Sequence, residues 1–304
     1  MDVLLANLAP SVDNSRVTLA DLQAIRGIDG QILWRQMCSL VVDRDEMSRE
    51  QHFYSPMHAR DACPIEFGDL DADGAVSIVL VNSQGEVQSL SGLSGEIQSS
   101  WSIPDFTANS QAKVCLADVD GNKRLEICVL ANCSSGFKNS SVLIILEDQG
   151  RLREQLSEKQ QPGRLSQLQA TDLDGNGDDE LLILRDTELR VFDDGLKQLL
   201  WNWTPDFIGS DTRLILLETV ETKSGNRVLL ATDAYNADRR TGIFALDGST
   251  GKPVWEFRVP SHLRIRPRFL LNDDDAPSCL FTAGSPADVF SHSTIYRAAW
   301  PGKR

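Results

Sequence analysis

Three segments of the chain align without gaps, and no other feature restricts its fold as strongly. They are Asp69-Leu-Asp71-Ala-Asp73-Gly-Ala-Val-Ser77, Asp118-Val-Asp120-Gly-Asn122-Lys-Arg-Leu-Glu126 and Asp172-Leu-Asp174-Gly-Asn176-Gly-Asp178-Asp-Glu180. Their first aspartates stand 49 and 54 residues apart. A half-apolar run precedes each (64–68, 112–117, 166–171), and an apolar run rich in Leu and β-branched residues follows. That is the pattern of strand, tight loop, strand. Recurrence at this period implies supersecondary units that bury their faces only by stacking on one another.

A second motif recurs downstream of the apolar runs, a turn glycine followed by a tryptophan. It reads Gly30 to Trp34, Gly95 to Trp101, Gly195 to Trp201 and Gly251 to Trp255, with fuller forms from Ala24 to Trp34 and from Ala245 to Trp255. The glycine suits a hairpin turn, and the tryptophan is placed either to wedge against the neighbouring unit or to fill an ordinary core. Together the two motifs divide the chain into units of residues 1–36, 61–105, 110–160, 164–206, 210–259 and 263–300, each of three or four short strands. Four-stranded antiparallel units at this spacing predict an all-β protein, a β-propeller of about six blades or part of a seven- or eight-bladed one. The first unit begins in its second strand and the last ends without an outer strand, as ring closure through a shared blade or a piece of a longer propeller would require. Residues 37–60 read as an inter-blade insertion, and the polar stretch 149–163 as a second extension, helical over Leu152 to Lys159.

Charge narrows the function. Thirty Lys and Arg stand against 44 Asp and Glu, a net charge of −14, which argues against nucleic acid or an anionic membrane as partner and for divalent cations. No run approaches the roughly 18 apolar residues that span a bilayer, so direct membrane insertion is not expected. The six cysteines show no CxxC and no histidine at zinc spacing, which makes buried thiols the default. If residues 115 and 128 flank a hairpin loop they face each other, as free thiols or as a strained disulfide.

Oxygen donors at loop positions 1, 3, 5 and 9, with a turn residue at position 6, wrap several carboxylates around a hard cation, and Ca²⁺ fits better than the strictly octahedral Mg²⁺. In the third loop the donors are Asp172, Asp174, Asn176 and Glu180, with the carbonyl of Asp178. The second offers Asp118, Asp120, Asn122 and Glu126, but Lys123 replaces the turn glycine, where a left-handed backbone would be strained. In the first loop, Asp69, Asp71 and Asp73 are followed by Ser77 where the closing carboxylate should stand, making it the weakest of the three. The competing reading is that Asp and Asn merely favour turns.

These loops resemble the DxDxDGxxD calcium loops of FG-GAP and VCBS repeats, as in the propellers of integrin α-subunits. The stretch from Ala245 to Trp255 is similar to the tryptophan-docking repeat of quinoprotein-like propellers. The resemblance implies structural Ca²⁺ at the blade edges and a binding or scaffold role. Units one, five and six depart from it, with Asn272 to Asp275 a degenerate echo.

The leading functional expectation is therefore a non-catalytic, calcium-binding propeller that recognises a protein or glycan. The alternative is a quinoprotein-like dehydrogenase or another enzyme propeller, against which stand the lack of a vicinal cysteine pair and of a histidine beside an evident nucleophile. Extracellular calcium levels would fill weak loops of this kind, which favours an extracellular, periplasmic or cell-surface location over the cytoplasm, and with it a chain that is part of a longer, anchored protein.

Overall fold

The computed structural model describes residues 3–8, 17–41, 64–107, 110–135, 138–159, 165–185, 187–206, 212–222, 225–234, 241–259, 262–270, 278–284 and 294–299. Their regular structure is all strand, 22 strands in six antiparallel sheets whose members follow chain order. The first sheet holds β1 (Val3–Leu8), β2 (Val17–Ile25) and β3 (Ile32–Val41). The second holds β4 (Ile65–Gly68), β5 (Ser77–Val81), β6 (Glu86–Ser91) and β7 (Ile97–Ser102). The third is built from β8 (Gln111–Ala117), β9 (Glu126–Ser135), β10 (Lys138–Leu146) and β11 (Leu152–Lys159). The fourth contains β12 (Leu165–Thr171), β13 (Glu180–Arg185), β14 (Glu188–Asp193) and β15 (Gln198–Trp203). In the fifth are β16 (Thr212–Val220), β17 (Arg227–Ala234), β18 (Thr241–Asp247) and β19 (Pro253–Val259), and in the sixth β20 (His262–Leu270), β21 (Ser278–Gly284) and β22 (Thr294–Ala299).

Each interior sheet lies between two others, which is why its second strand reads as an unbroken apolar run rather than an alternation. Along β5, Val79 and Val81 face the third sheet's Val114, Ile127 and Val129, while Ile78 and Leu80 face the first sheet's Ala20, Leu22 and Leu40. The same split recurs on β13, where Leu181 and Ile183 join Cys128 and Leu130, and Leu182 and Leu184 join Val228 and Leu230. Each such side chain contributes on the order of 1.5–3 kcal/mol by leaving water. The first strands β4, β8, β12 and β16 run next to one another from sheet to sheet, whereas alternate residues of β7 are exposed, so the first strands lie innermost and the fourth outermost.

Two sequence expectations need correction. Residues 37–41, assigned to the insertion, belong to β3, because Cys38 and Leu40 continue its alternation into the core and Leu40 bridges to Asn82 of the second sheet. The rest of 37–60, with His52, Tyr54, His58 and Arg60, falls outside the described residues. Leu152–Lys159 is a strand and not a helix: it pairs with β10 from Ser140↔Lys159 to Leu146↔Leu152, and Leu156 packs on the core between sheets three and four. Among the described residues the first and sixth sheets share no strand. Gly30 and Trp34 sit in the first sheet as Gly195 and Trp201 sit in the fourth, so β1–β3 correspond to the second, third and fourth strands of a full unit. Cys115 and Cys128 face each other in the β8–β9 register and are free thiols.

The tryptophan motif sets the spacing between sheets. Beside a bulge in each outer pair, Trp34 stands opposite Ala24, Trp201 opposite Val191 and Trp255 opposite Ala245. The Trp34 indole N–H donates to the Gly92 carbonyl at 2.8 Å, and that of Trp201 to the Gly248 carbonyl at 2.9 Å, each in the following sheet. Both rings lie flush on a turn glycine. A Cβ on Gly95 would stand 2.8 Å from Trp34 Cε3, and one on Gly251 would stand 2.5 Å from Trp201 Cε3. Their φ angles of 74° and 66° independently favour glycine. The second and third sheets put other residues at this position. Ser99, opposite Ser89, approaches Gly150, and Glu154, opposite Ile145, approaches Gly195 and accepts the Leu196 N–H at 2.8 Å. Trp101 is thus two residues beyond the docking position, and it packs instead on the core between sheets two and three.

Candidate metal centre

The three acidic loops join the first and second strands of sheets two, three and four. Position 2 of each is apolar and buried: Leu70 is 3% exposed, Val119 0% and Leu173 2%, each packed into the core shared with the following sheet. This anchor pins the loop while positions 1 and 3 turn outward. Positions 4 and 6 are left-handed throughout, at φ 59° and 86° for Ala72 and Gly74, 70° and 69° for Gly121 and Lys123, and 82° and 101° for Gly175 and Gly177. Lys123 therefore carries the backbone strain that its place in the motif implied, and Ala72 carries a similar one.

Carboxylate and amide oxygens hold these turns by accepting N–H groups. In the third loop Asp172 accepts from Gly175 and Gly177, Asp174 Oδ1 from Asn176 at 3.0 Å and Asn176 Oδ1 from Asp178 at 2.8 Å. The second repeats the scheme, with Asp118 Oδ2 accepting from Lys123, Asp120 Oδ1 from Asn122 and Asn122 Oδ1 from Arg124. In the first, Asp69 accepts from Asp73 and Gly74, and Asp73 accepts from Ala75.

Position 9 distinguishes the loops. Glu180 is fully buried; its Oε2 accepts the Leu173 N–H at 2.5 Å, and its Oε1 has no hydrogen-bond partner. Glu126, 3% exposed, likewise holds the Val119 N–H at 3.0 Å. Burial pushes both carboxyls up to about 7, against the backbone N–H bonds that lower them. Ser77 turns its hydroxyl toward Gln98 Oε1. Donor oxygens of Asp69, Asp71 and Asp73, of Asp118, Asp120 and Glu126, and of Asp172, Asp174 and Glu180 lie within 4.8 Å of one another in each set.

The sets differ in their cationic surroundings. Arg153 of β11 reaches into the second, with Nη1 2.6 Å from Asp120 Oδ2 and 3.5 Å from Glu126 Oε1. Among the described residues no basic side chain forms an ion pair with Asp172, Asp174 or Glu180.

Backbone links chain the loops together. The Leu125 N–H donates to the Leu70 carbonyl at 3.1 Å, and the Asp179 N–H to the Asp118 carbonyl at 2.7 Å. The Asn226 side chain makes the next link, donating to the Asp172 carbonyl at 2.6 Å from a sheet with no acidic loop. The Asp178 side chain lies over Gly121 of the second loop. Sequence reading found the donors but not Arg153, Asp179 as a linker or Asn226, because each acts on a residue of another strand or sheet that no local motif reveals.

Comparison with solved structures identifies the fold. The chain is similar to rhamnogalacturonan lyase YesW, at 15% identity and TM-score 0.56 over 93% of this chain and 56% of that one. It is similar to the quinohemoprotein alcohol dehydrogenase of Comamonas testosteroni, at 11% and 0.51 over 100% and 59%. A third likeness is to the C-terminal domain of Pseudomonas aeruginosa PilY1, at 13% and 0.50 over 99% and 70%. The fold is a β-propeller. The sheets are its blades, and the chain spans less than two thirds of the first two of these structures. No family model matches the sequence, nor does any curated protein sequence.

An all-oxygen set of two aspartates, an amide oxygen and a buried glutamate fits a hard divalent cation. The second and third loops both meet that description, and each leaves one buried carboxylate oxygen without a partner, Asp118 Oδ1 and Glu180 Oε1, which is costly unless a cation or proton satisfies it; only in the third does that oxygen belong to the closing glutamate. The first lacks the closing carboxylate.

Proposed function

We propose that this chain is a non-catalytic propeller of the FG-GAP/VCBS kind that binds Ca²⁺ through its acidic-loop repeat, above all in the third loop, and serves as a recognition or scaffold module for a protein or glycan outside the cytoplasm. The observation that carries the calcium reading is Glu180: buried, bonded through one oxygen to its own loop, with the other oxygen unpartnered, and with its carboxylate within 4.8 Å of donor oxygens of Asp172 and Asp174. Asp172, Asp174, Asn176, Glu180 and the Asp178 carbonyl would hold the ion, which supplies positive charge where five carboxylates crowd between residues 172 and 180. The chain's own part is to preorganise the donors through left-handed turns and the buried Leu173, so that an ion bound there fastens the third blade to the fourth through the Asp118–Asp179 link. An ion that binds only the folded state stabilises it by mass action, about 2.7 kcal/mol at a hundredfold excess over Kd.

Calorimetric melts in EGTA, in Ca²⁺ and in Mg²⁺ test this. The expected result is a Ca²⁺-selective rise in Tm that Asp172→Ala abolishes. Identical melts in all three conditions would leave the loops as solvated turns and favour a cytoplasmic scaffold.

A further inference from the structure

The second loop has the carboxylates of a cation site and also a cation supplied by the chain. Arg153 Nη1 lies 2.6 Å from Asp120 Oδ2 and 3.5 Å from Glu126 Oε1, its Nε 3.4 Å from Glu154 Oε1 and its Nη2 3.4 Å from Asp194 Oδ1 on the next blade. The side chain is only 16% exposed, so these are screened less than surface ion pairs. Charge along the loops points the same way. The second sets Asp118, Asp120 and Glu126 against Lys123 and Arg124 within the loop and Arg153 across it. The third carries Asp172, Asp174, Asp178, Asp179 and Glu180 with no basic residue between 172 and 180.

We propose that Arg153 is the resident cation of the second loop and keeps calcium out of it, so that this blade edge is closed by a guanidinium while the next is closed by a metal ion. The guanidinium is planar, permanently charged and weakly hydrated, which suits it to bridging several carboxylates in a half-buried site. A guanidinium between Asp120 and Glu126 raises the electrostatic cost of bringing a divalent ion to the same oxygens. It also ties the third blade to the fourth through Asp194, at the boundary where Glu154 replaces the docked tryptophan. Metal selectivity among the loops is thereby set by a residue outside them. The inference rests on the calcium reading of the repeat.

Calcium stoichiometry of the full chain, by isothermal titration and native mass spectrometry, tests it in five proteins: wild type, Asp120→Asn, Arg153→Gln, the Arg153→Gln, Asp120→Asn double variant, and Glu180→Gln. Asp120→Asn should leave the wild-type stoichiometry unchanged. Arg153→Gln should gain one ion per chain, and the added Asp120→Asn should remove it. Loss of one ion on Asp120→Asn in the otherwise native chain would overturn the proposal whether or not Arg153→Gln folds, and so would a folded Arg153→Gln that gains none. The two readings separate. If wild type takes up no calcium and Arg153→Gln takes up one, the third-loop site fails and the arginine's role stands. If Glu180→Gln and Asp120→Asn each remove one ion from wild type, calcium binding stands and the arginine's role fails.

Discussion

Asp118 and Asp179, on neighbouring blades, exchange two hydrogen bonds: the Asp118 N–H donates to Asp179 Oδ2 at 3.0 Å, and the Asp179 N–H to the Asp118 carbonyl at 2.7 Å. The first amino acid of one acidic loop is thus held by the eighth of the next, so a change in either loop is felt by both. Asp179→Ala leaves a part-buried N–H unpaired and should cost about 1–3 kcal/mol in urea denaturation. Asp179→Asn keeps an acceptor oxygen and should cost less than half as much. Equal losses would show that the charge, not the hydrogen bond, makes the link.

Trp201 and Gly251 form the second kind of blade contact, a ring on a turn with no room for a methyl group. Trp201→Ala should destabilise by about 3–5 kcal/mol through the lost aromatic volume. Gly251→Ala should be comparably harmful in the native background, because the obstacle is a rigid ring. In the Trp201→Ala background it should cost only the backbone strain of a positive φ, roughly 1–2 kcal/mol. A double-mutant cycle measures the difference, and additive losses would refute the docking account.

The acidic loops and the tryptophans at 34 and 201 were legible in sequence because each motif closes within about a dozen residues. Ser99 and Glu154 were not. The glycine-to-tryptophan spacing is four residues at Trp34 and Trp255 and six at Trp201 and Trp101, so spacing from Gly95 did not separate Trp101 from Ser99, the residue that the register places against the next blade. Residues Leu152 to Lys159 have good intrinsic helix formers, and pairing with β10 overrides that preference. Arg153 meets Asp120 across 33 positions and Asn226 meets Asp172 across 54, distances at which one sequence carries no pairing signal.

Lys123 holds a φ of 69° where the third loop has Gly177. Relief of the left-handed strain, roughly 1–2 kcal/mol, exceeds the extra unfolded-state entropy that glycine brings, about 0.5–1 kcal/mol. Lys123→Gly should therefore raise stability by about 0.5–1 kcal/mol in EGTA. A loss instead would mean that the lysine ammonium holds the loop more than its backbone strains it.

The buried glutamates give the chelated protein a pH dependence with a definite sign. Glu180 has an ordinary value of 4.5 and is pushed up to about 7 by burial, so between these values the folded state binds more protons than the unfolded one. Its contribution is fully present below pH 4.5 and is lost as pH rises through 7. Asp21, Glu188 and Asp247 are shifted down and oppose this trend, so it must be read as a difference between proteins. In EGTA, the Tm of wild type minus that of Glu180→Gln should fall as pH rises from 4.5 to 7.5, because the amide stays neutral while the carboxylate is forced to ionise in a buried site. Calcium should reverse the slope, since ion and proton compete for the same oxygens and the ion wins as pH rises. A difference independent of pH in both conditions would show that Glu180 is satisfied as a carboxylate by the chain alone, and would remove the principal support for a metal ion in the third loop.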